Sequence, residues 1–236
     1  MLAITRAPPS QCEVCRRWAD AALCVDCVAR FAAPVARCRR CGLRLGSAAA
    51  VCGECLRRPP PFDATVCVAD YAFPWQRVIT DFKFNGRPEL AAALATRLIA
   101  AVHAATRAAA LPRADIVLPV PLAPRRLAER GYNQAWELAR RASRGLGLPA
   151  RHDLLLRTLD TAHQADLDRA ERQRNLRAAF MVDPRWRAVL NGRAVALVDD
   201  VMTTGATVRE AAAQLLRAGA ASVQVWVLAR TPAGAD

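Results

Sequence analysis

The sequence predicts an α/β protein: a mostly parallel sheet covered by helices on both faces, preceded by a small segment folded around metal. Three observations predict it. Eight of the nine cysteines fall in four Cys-x2-Cys pairs within residues 12–55. From residue 66 onward, apolar runs of strand length alternate with segments of helical periodicity. Between the two regions stands Pro59-Pro60-Pro61, which ends regular structure and stiffens a linker. With 53% hydrophobic and 23% charged residues, a disordered or collagen-like chain is excluded, and 236 residues suffice for a medium domain plus a small one.

The cysteine pairs are Cys12/Cys15, Cys24/Cys27, Cys38/Cys41 and Cys52/Cys55, separated by 8, 10 and 10 residues. Two thiolates two residues apart in a knuckle can face one ion, and two knuckles complete a tetrahedral Zn²⁺ site. The spacing favours two successive ribbons, Cys12 to Cys27 and Cys38 to Cys55; an interleaved pairing satisfies the same arithmetic. A disulfide framework wants a secreted context, and the opening residues MLAITRAPPSQC contain no apolar signal-peptide core. About 50 residues cannot bury much core, so metal must supply folding energy here. Gly42 and Gly53, beside the knuckles, suit turns with positive φ. Cys67 lies in the alternating run Val66–Tyr71 and reads as a buried strand position.

The expected organisation is a metal-bound segment over 1–58, a linker over 59–65 and an α/β domain over 66–236. Val66–Tyr71 reads as a strand and Trp75–Phe84 as an amphipathic helix. Glu89–Ala110 is an alanine-rich helix, and Ile116–Val120 an apolar strand. Asn133–Gly145 is helical, Leu154–Leu156 a short strand, and Asp168–Leu176 helical. Ala194–Val198 is a buried strand. Thr207–Ala218 is a helix closed by Gly219, and Ser222–Leu228 the last strand. Ligands of such sheets bind beyond the carboxyl ends of the strands, here after Val120 and after Val198. The most apolar stretch, Leu90–Leu111, is interrupted by Arg97, His103 and Arg107, so no transmembrane span is expected, and the expected compartment is the cytoplasm.

After Val198 the chain reads Asp199-Asp200-Val201-Met202-Thr203-Thr204-Gly205-Ala206-Thr207. Two acids at a strand mouth precede a run of small and hydroxyl residues that opens a helix. Backbone N–H groups at a helix start, with threonine hydroxyls, cradle a phosphate. Carboxylates beside them accept hydrogen bonds from ribose hydroxyls or approach a metal, so the string fits a ribose 5-phosphate. After Val120 come Arg125, Arg126 and Arg130, whose forked guanidiniums suit a diphosphate. A long polar segment, Arg157 to Asn175, offers Gln164, Arg172 and Asn175 as residues that close over a ligand. His103, His152 and His163 have no partner pattern that marks a nucleophile or base.

The loop string resembles the phosphoribosyl-pyrophosphate (PRPP) motif of type I phosphoribosyltransferases. The wider set of motifs resembles one family, competence protein F (ComF). That set comprises the cysteine knuckles, Asp81-Phe82-Lys83-Phe84-x-Gly86, the VPVP…RGYNQ string, R-T-x2-T-x2-Q…R-x2-N, and VDDVMTTGAT, and it covers roughly residues 12–230. The resemblance implies a double zinc ribbon followed by a type I phosphoribosyltransferase-like sheet flanked by helices. It implies that Asp199 and Asp200 hold the ribose hydroxyls, that Thr203, Thr204, Gly205, Ala206 and Thr207 hold the 5-phosphate, and that Mg²⁺ accompanies PRPP. Lys83, the one lysine among 34 basic residues, falls at a motif position. Natural competence, with uptake and processing of single-stranded DNA, is the implied setting, and an acceptor nitrogen attacking C1 of PRPP the implied reaction. A DNA-binding accessory protein and a PRPP-responsive regulator are the rival readings. The formal charge of +13 favours a polyanionic partner, whether nucleic acid or phosphorylated ligand. Two Zn²⁺ tetrathiolates would lower the charge of residues 1–61 from +6 to +2, leaving +7 on the remainder.

Overall fold

The computed structural model describes residues 10–46, 49–108, 111–158 and 179–234. A short antiparallel ribbon, β1 (Ser10–Gln11) with β2 (Trp18–Ala19), opens the chain and is followed by α1 (Val25–Phe31). A second ribbon, bridged between Arg37 and Arg44, is followed by α2 (Gly53–Arg57). Each short helix starts at the second knuckle of its ribbon, with Cys24 and Cys52 at the N-cap positions. Gly42 has φ +70° as expected, but Gly53 has no positive φ and instead begins α2.

The main sheet has the order β3 (Ala64–Asp70), β8 (Ser222–Arg230), β7 (Ala194–Met202), β4 (Ile116–Pro119), and all its pairings are parallel. Val195 and Leu197 of β7 face one apolar cluster, with Val208, Ala211, Ala212 and Leu215 of α8 (Ala206–Arg217). Ala196 and Val198 face the other, with Leu94 and Leu98 of α4 (Leu90–Arg107) and Leu138 and Ala142 of α6 (Gln134–Leu146). Burial on both faces explains why these strands read as continuous apolar runs. In α4 the buried residues Leu90, Ala91, Leu94, Ala95, Leu98 and Val102 recur at helical spacing. Among the described residues no helix is long and apolar enough to cross a membrane.

Helix α3 (Trp75–Phe84) buries Trp75, Val78, Ile79 and Phe82 and leaves Lys83 at its last turn. Helix α5 (Pro124–Arg130) buries nothing; it starts on proline and stops at Gly131, φ +79°. Asn133 then caps α6 by accepting from Ala135 N–H and Trp136 N–H, and its amide donates to the Val120 carbonyl at 3.1 Å. A hairpin of β5 (Leu155–Arg157) and β6 (Phe180–Val182) lies apart from the main sheet, and a 3₁₀ turn and α7 (Arg187–Leu190) lead from it into β7. The expected helix Asp168–Leu176 lies outside the described residues.

Two strands outrun their expected ends. β7 continues through both aspartates to Met202, paired with β8 as far as Arg230. Parallel hydrogen bonding to β8 holds extended a segment that its charges alone would have placed in a loop. Cys67 is only half-buried, and burial with the nearby Asp70 carboxylate pushes its thiol up to about 11. Both ribbons dock on the sheet domain. Trp75 Nε1 donates to the Phe31 carbonyl at 2.6 Å, and Arg87 binds Glu13 at 2.8 Å and 3.2 Å. In the second ribbon the Arg39 and Arg40 carbonyls accept from the N–H and hydroxyl of Thr65 at 2.8 Å and 2.5 Å.

Candidate functional site

The eight paired cysteines gather as two tetrads in chain order, Cys12, Cys15, Cys24, Cys27 and Cys38, Cys41, Cys52, Cys55, with the sulfurs of each within 4.8 Å of one another. This is the successive pairing. The Sγ–Sγ distances of 3.8 Å (Cys15–Cys24) and 3.7 Å (Cys41–Cys52) fit a tetrahedron with Zn–S bonds of about 2.3 Å, whose edge is about 3.8 Å. No disulfide joins any of the nine cysteines. Backbone donors favour the thiolate form at matching positions: Cys24 N–H points to Cys12 Sγ at 3.4 Å, and Cys52 N–H to Cys38 Sγ at 3.3 Å. The N–H and guanidinium of Arg17 draw the Cys15 thiol down to about 6. At Cys38 burial works against ionisation, but N–H donors from Cys52, Cys41 and Arg40 bring it down to about 7. Each tetrad could hold Zn²⁺.

The second constellation lies at the carboxyl end of β7. Alternation breaks there: Val198 and Val201, three residues apart, both face the cluster under α4 and α6. The acid pair occupies this break. Asp200 is 1% exposed, and its Oδ2 lies 2.9 Å from Lys83 Nζ across 117 residues of sequence. Its Oδ1 accepts from Val201 N–H at 2.9 Å, and Asp199 Oδ1 accepts from Asp200 N–H at 2.9 Å. Asp199 is half-buried. Desolvation, with the adjacent Asp200 charge, pushes its carboxyl well above the usual carboxylate range, while Lys83 opposes the shift.

Thr203 and Thr204 are exposed, and Gly205 follows with φ +81° at the N-cap of α8. No side chain caps this helix; Thr204 Oγ1 accepts from Ala206 N–H at 3.3 Å within the turn. The turn therefore requires a residue tolerant of the left-handed region and presents the helix start outward beside the acids.

Lys83, Phe84, Arg126, Glu129 and Arg130 line an open cleft of about 400 Å³. Arg126 thus lines the cleft, and Arg125 pairs at 2.8 Å with Glu129, another residue of its lining. Arg130 stacks 4.9 Å from the Phe84 ring centre and bonds Gln134. Burial lowers its guanidinium from the ordinary value, and the Asp200 field supports its charge. The Tyr132 hydroxyl donates to the Phe82 carbonyl, tying the RGYNQ segment to the end of α3 that carries Lys83. Tyr132 and Trp136 are partly buried against the core. Gln164, Arg172 and Asn175 lie outside the described residues.

Arg130 lies in the field of the acid pair, and Arg230 stands at the entry to the loop that follows it, a residue to which sequence reasoning gave no role. Its guanidinium bonds the carbonyls of Met202 and Thr203. The only sequence signal was an arginine ending a strand parallel to β7.

Residues 155–236 match the family model described as a phosphoribosyl transferase domain. The chain is 39% identical over 229 residues to the DNA utilization protein YhgH of Salmonella typhi, covering 94% of this chain and 98% of that one. It is 37% identical over 193 residues to competence protein F of Haemophilus influenzae, covering 82% and 84% respectively. Among solved structures it is similar to the glutamine PRPP amidotransferase of B. subtilis, with TM-score 0.38 and 23% identity over 60% of this chain and 26% of that one.

Proposed function

The chain belongs to the competence protein F family, and from that premise and the geometry of the cleft we propose that it binds PRPP with Mg²⁺. In this reading residues 1–58 form a double zinc ribbon, 59–65 the linker and 66–236 the phosphoribosyltransferase-like domain. The observation that carries the reading is Asp200, 1% exposed and paired with Lys83, just ahead of a helix opened by a left-handed glycine. A buried acid is costly unless its charge is held for a purpose.

Asp199 and Asp200 accept hydrogen bonds from the two ribose hydroxyls, and Lys83, 2.9 Å from Asp200, holds that carboxylate in place. The N–H groups and hydroxyls of residues 203–207 donate to the 5-phosphate. Arg126 and Arg130 meet the diphosphate. When an acceptor nitrogen attacks C1, the bond from C1 to the diphosphate oxygen breaks and its electron pair leaves with pyrophosphate. The nitrogen's proton passes to water. Mg²⁺ bound with the diphosphate supplies further neutralisation of that leaving charge. The chain's part is orientation and electrostatic support of an oxocarbenium-like transition state.

The names of the relatives, DNA utilization protein and competence protein F, support a place in natural competence; in this reading the chain acts in the cytoplasm on internalised single-stranded DNA beside the uptake machinery. Calorimetry with Mg²⁺–PRPP, repeated with single-stranded DNA, tests the reading; absence of PRPP binding by the zinc-loaded protein would end it. Arg126→Ala is expected to weaken PRPP about tenfold and ribose 5-phosphate less than about twofold, since hydrogen bonds to charged groups contribute about 1.5–3 kcal/mol. Arg125→Ala, whose side chain pairs with cleft-lining Glu129, is expected likewise to weaken PRPP more than ribose 5-phosphate. Equal losses for both ligands would remove Arg126 from the diphosphate.

A second reading, a single-stranded-DNA-binding accessory protein, draws on the ribbon side. Trp18 and Phe73 are each 71% exposed there. Arg17 adjoins Trp18, and Arg30 lies over Phe31, whose ring meets Phe73 at 5.7 Å. Binding to a fluorescent oligonucleotide is expected to be weak and to fall steeply with salt through counterion release. A titration with and without Mg²⁺–PRPP checks this. Competition would place both polyanions in one basic cleft, and no binding at low salt would leave DNA contact to a partner.

A further inference from the structure

Arg230, the last residue of β8, reaches two places at once. Its Nε donates to the carbonyl of Cys41 at 3.1 Å, a residue of the second tetrad. Its Nη1 donates to the carbonyls of Met202 (3.2 Å), Thr203 and Thr231 (2.9 Å), the first two leading into the loop 203–207. Thr231 N–H adds a bond to the Met202 carbonyl at 3.0 Å. One planar guanidinium therefore spans the first knuckle of the second tetrad and the entry to the loop.

The knuckle is also pressed against the sheet. Gly42 follows Cys41 with φ +70°, and a Cβ there would lie 3.0 Å from Thr65 Cγ2. Arg37 bonds the Gly42 carbonyl at 3.2 Å and Asp70 at 2.6 Å. Between ribbon and loop lies a cavity of about 270 Å³, walled by Cys52 and Cys55 on one side and by Thr203, Thr204 and Gly205 on the other. The second ribbon has little apolar support of its own: Leu43, Leu45 and Val51 are only partly buried around its cysteines. Its geometry thus depends on the tetrad. The first ribbon meets the sheet domain through other contacts, Glu13–Arg87 and Phe31–Trp75.

We propose that the second tetrad and the loop 203–207 are one coupled unit, with Arg230 as the positioning residue that carries the coupling. Metal in the tetrad holds the loop in its ligand-accepting form, and a phosphorylated sugar on the loop holds the metal. This rests on the phosphoribosyl reading above. Linkage makes the effect reciprocal, so it can be read from the metal side without any turnover.

The experiment measures the zinc affinity of the full-length protein by equilibrium competition with a chromogenic chelator of known affinity, with and without saturating Mg²⁺–PRPP. Ligand binding is measured separately by calorimetry. The ligand is expected to tighten one of the two zincs about fivefold or more, a modest coupling by the usual scale, and to leave the other unchanged. Arg230→Met is expected to weaken PRPP and abolish the tightening, and Arg230→Lys, which keeps a donor, to restore part of both. A merely structural arginine would lower stability without removing the ligand's effect on zinc affinity. PRPP that binds the wild type while both zinc affinities stay unchanged overturns the coupling. PRPP that does not bind the wild type removes the phosphoribosyl reading and this inference with it, a result distinct from binding without coupling. Should Arg230→Met not fold, the wild-type affinities decide the matter alone.

Discussion

Replacing Asp199 and Asp200 together by asparagine is expected to weaken Mg²⁺–PRPP by on the order of 100-fold or more. Each carboxylate gives up a charge-assisted bond to a ribose hydroxyl, and such bonds contribute about 1.5–3 kcal/mol apiece. Unchanged affinity in a folded double variant would sink the assignment. The single variants are expected to move stability in opposite directions. Desolvation and the Asp200 charge raise the Asp199 carboxyl above its unfolded value. The folded state therefore holds that proton more tightly than the unfolded state does. The stability this contributes is present at low pH and is lost as pH rises through the raised value. At neutral pH Asp199→Asn removes a carboxyl whose ionisation burial and Asp200 oppose, so the ligand-free protein is expected to melt higher while binding worse. Asp200→Asn instead leaves Lys83 without its partner at 2.9 Å, and a lower Tm is expected. Thermal melts of the ligand-free variants at neutral and acidic pH check both signs, and the gain at Asp199 should shrink toward acid. A stability–function conflict of this kind is common where like charges are held together for a ligand.

Metal removal is the second large effect. Protein purified without chelator is expected to carry about two zincs per chain by ligand arithmetic. A value near zero would refute the ribbons, and a value near one would leave a single ribbon. Chelation is expected to act unequally. Leu23 belongs to the main apolar cluster, with Val14, Val28 and Phe31 packed against it, so the first ribbon shares the core of the sheet domain. The second ribbon's cluster consists of Cys38, Cys41 and Cys55 with partly buried neighbours. Structural zinc supplies apparent folding energies of about 10–16 kcal/mol, which that cluster cannot replace. Limited proteolysis of the stripped protein, or of Cys38→Ser, is therefore expected to cut first within residues 36–58. Equal protection before and after stripping would show that the second ribbon does not depend on metal.

Local chemistry determined a large part of this molecule. The apolar spacing of Trp75, Val78, Ile79 and Phe82 bounds α3 at Trp75–Phe84, as expected from periodicity, because a helix face is set by neighbours three and four residues away. The two-residue spacing within each cysteine pair marked the candidate metal ligands, and the string from Asp199 to Thr207 marked where an acid pair meets a helix start. Other features depended on segments distant in sequence. Which knuckles come together as a tetrad was decided by folding, since both pairing schemes satisfy the same spacing. β7 continues through two aspartates because β8 supplies parallel partners out to Arg230, a force no property of Asp199 or Asp200 encodes. Lys83 reaches Asp200 only when folding brings the end of α3 to the carboxyl end of β7. That Arg126 lines the cleft was not legible locally, because a seven-residue helix with no buried residue carries no apolar stripe from which to read its facing side. Arg230 bonds to backbone carbonyls of Cys41, Met202 and Thr203, and carbonyls are the same at every position in a sequence. Such bonds become visible only when tertiary packing brings the strand ends and the knuckle together.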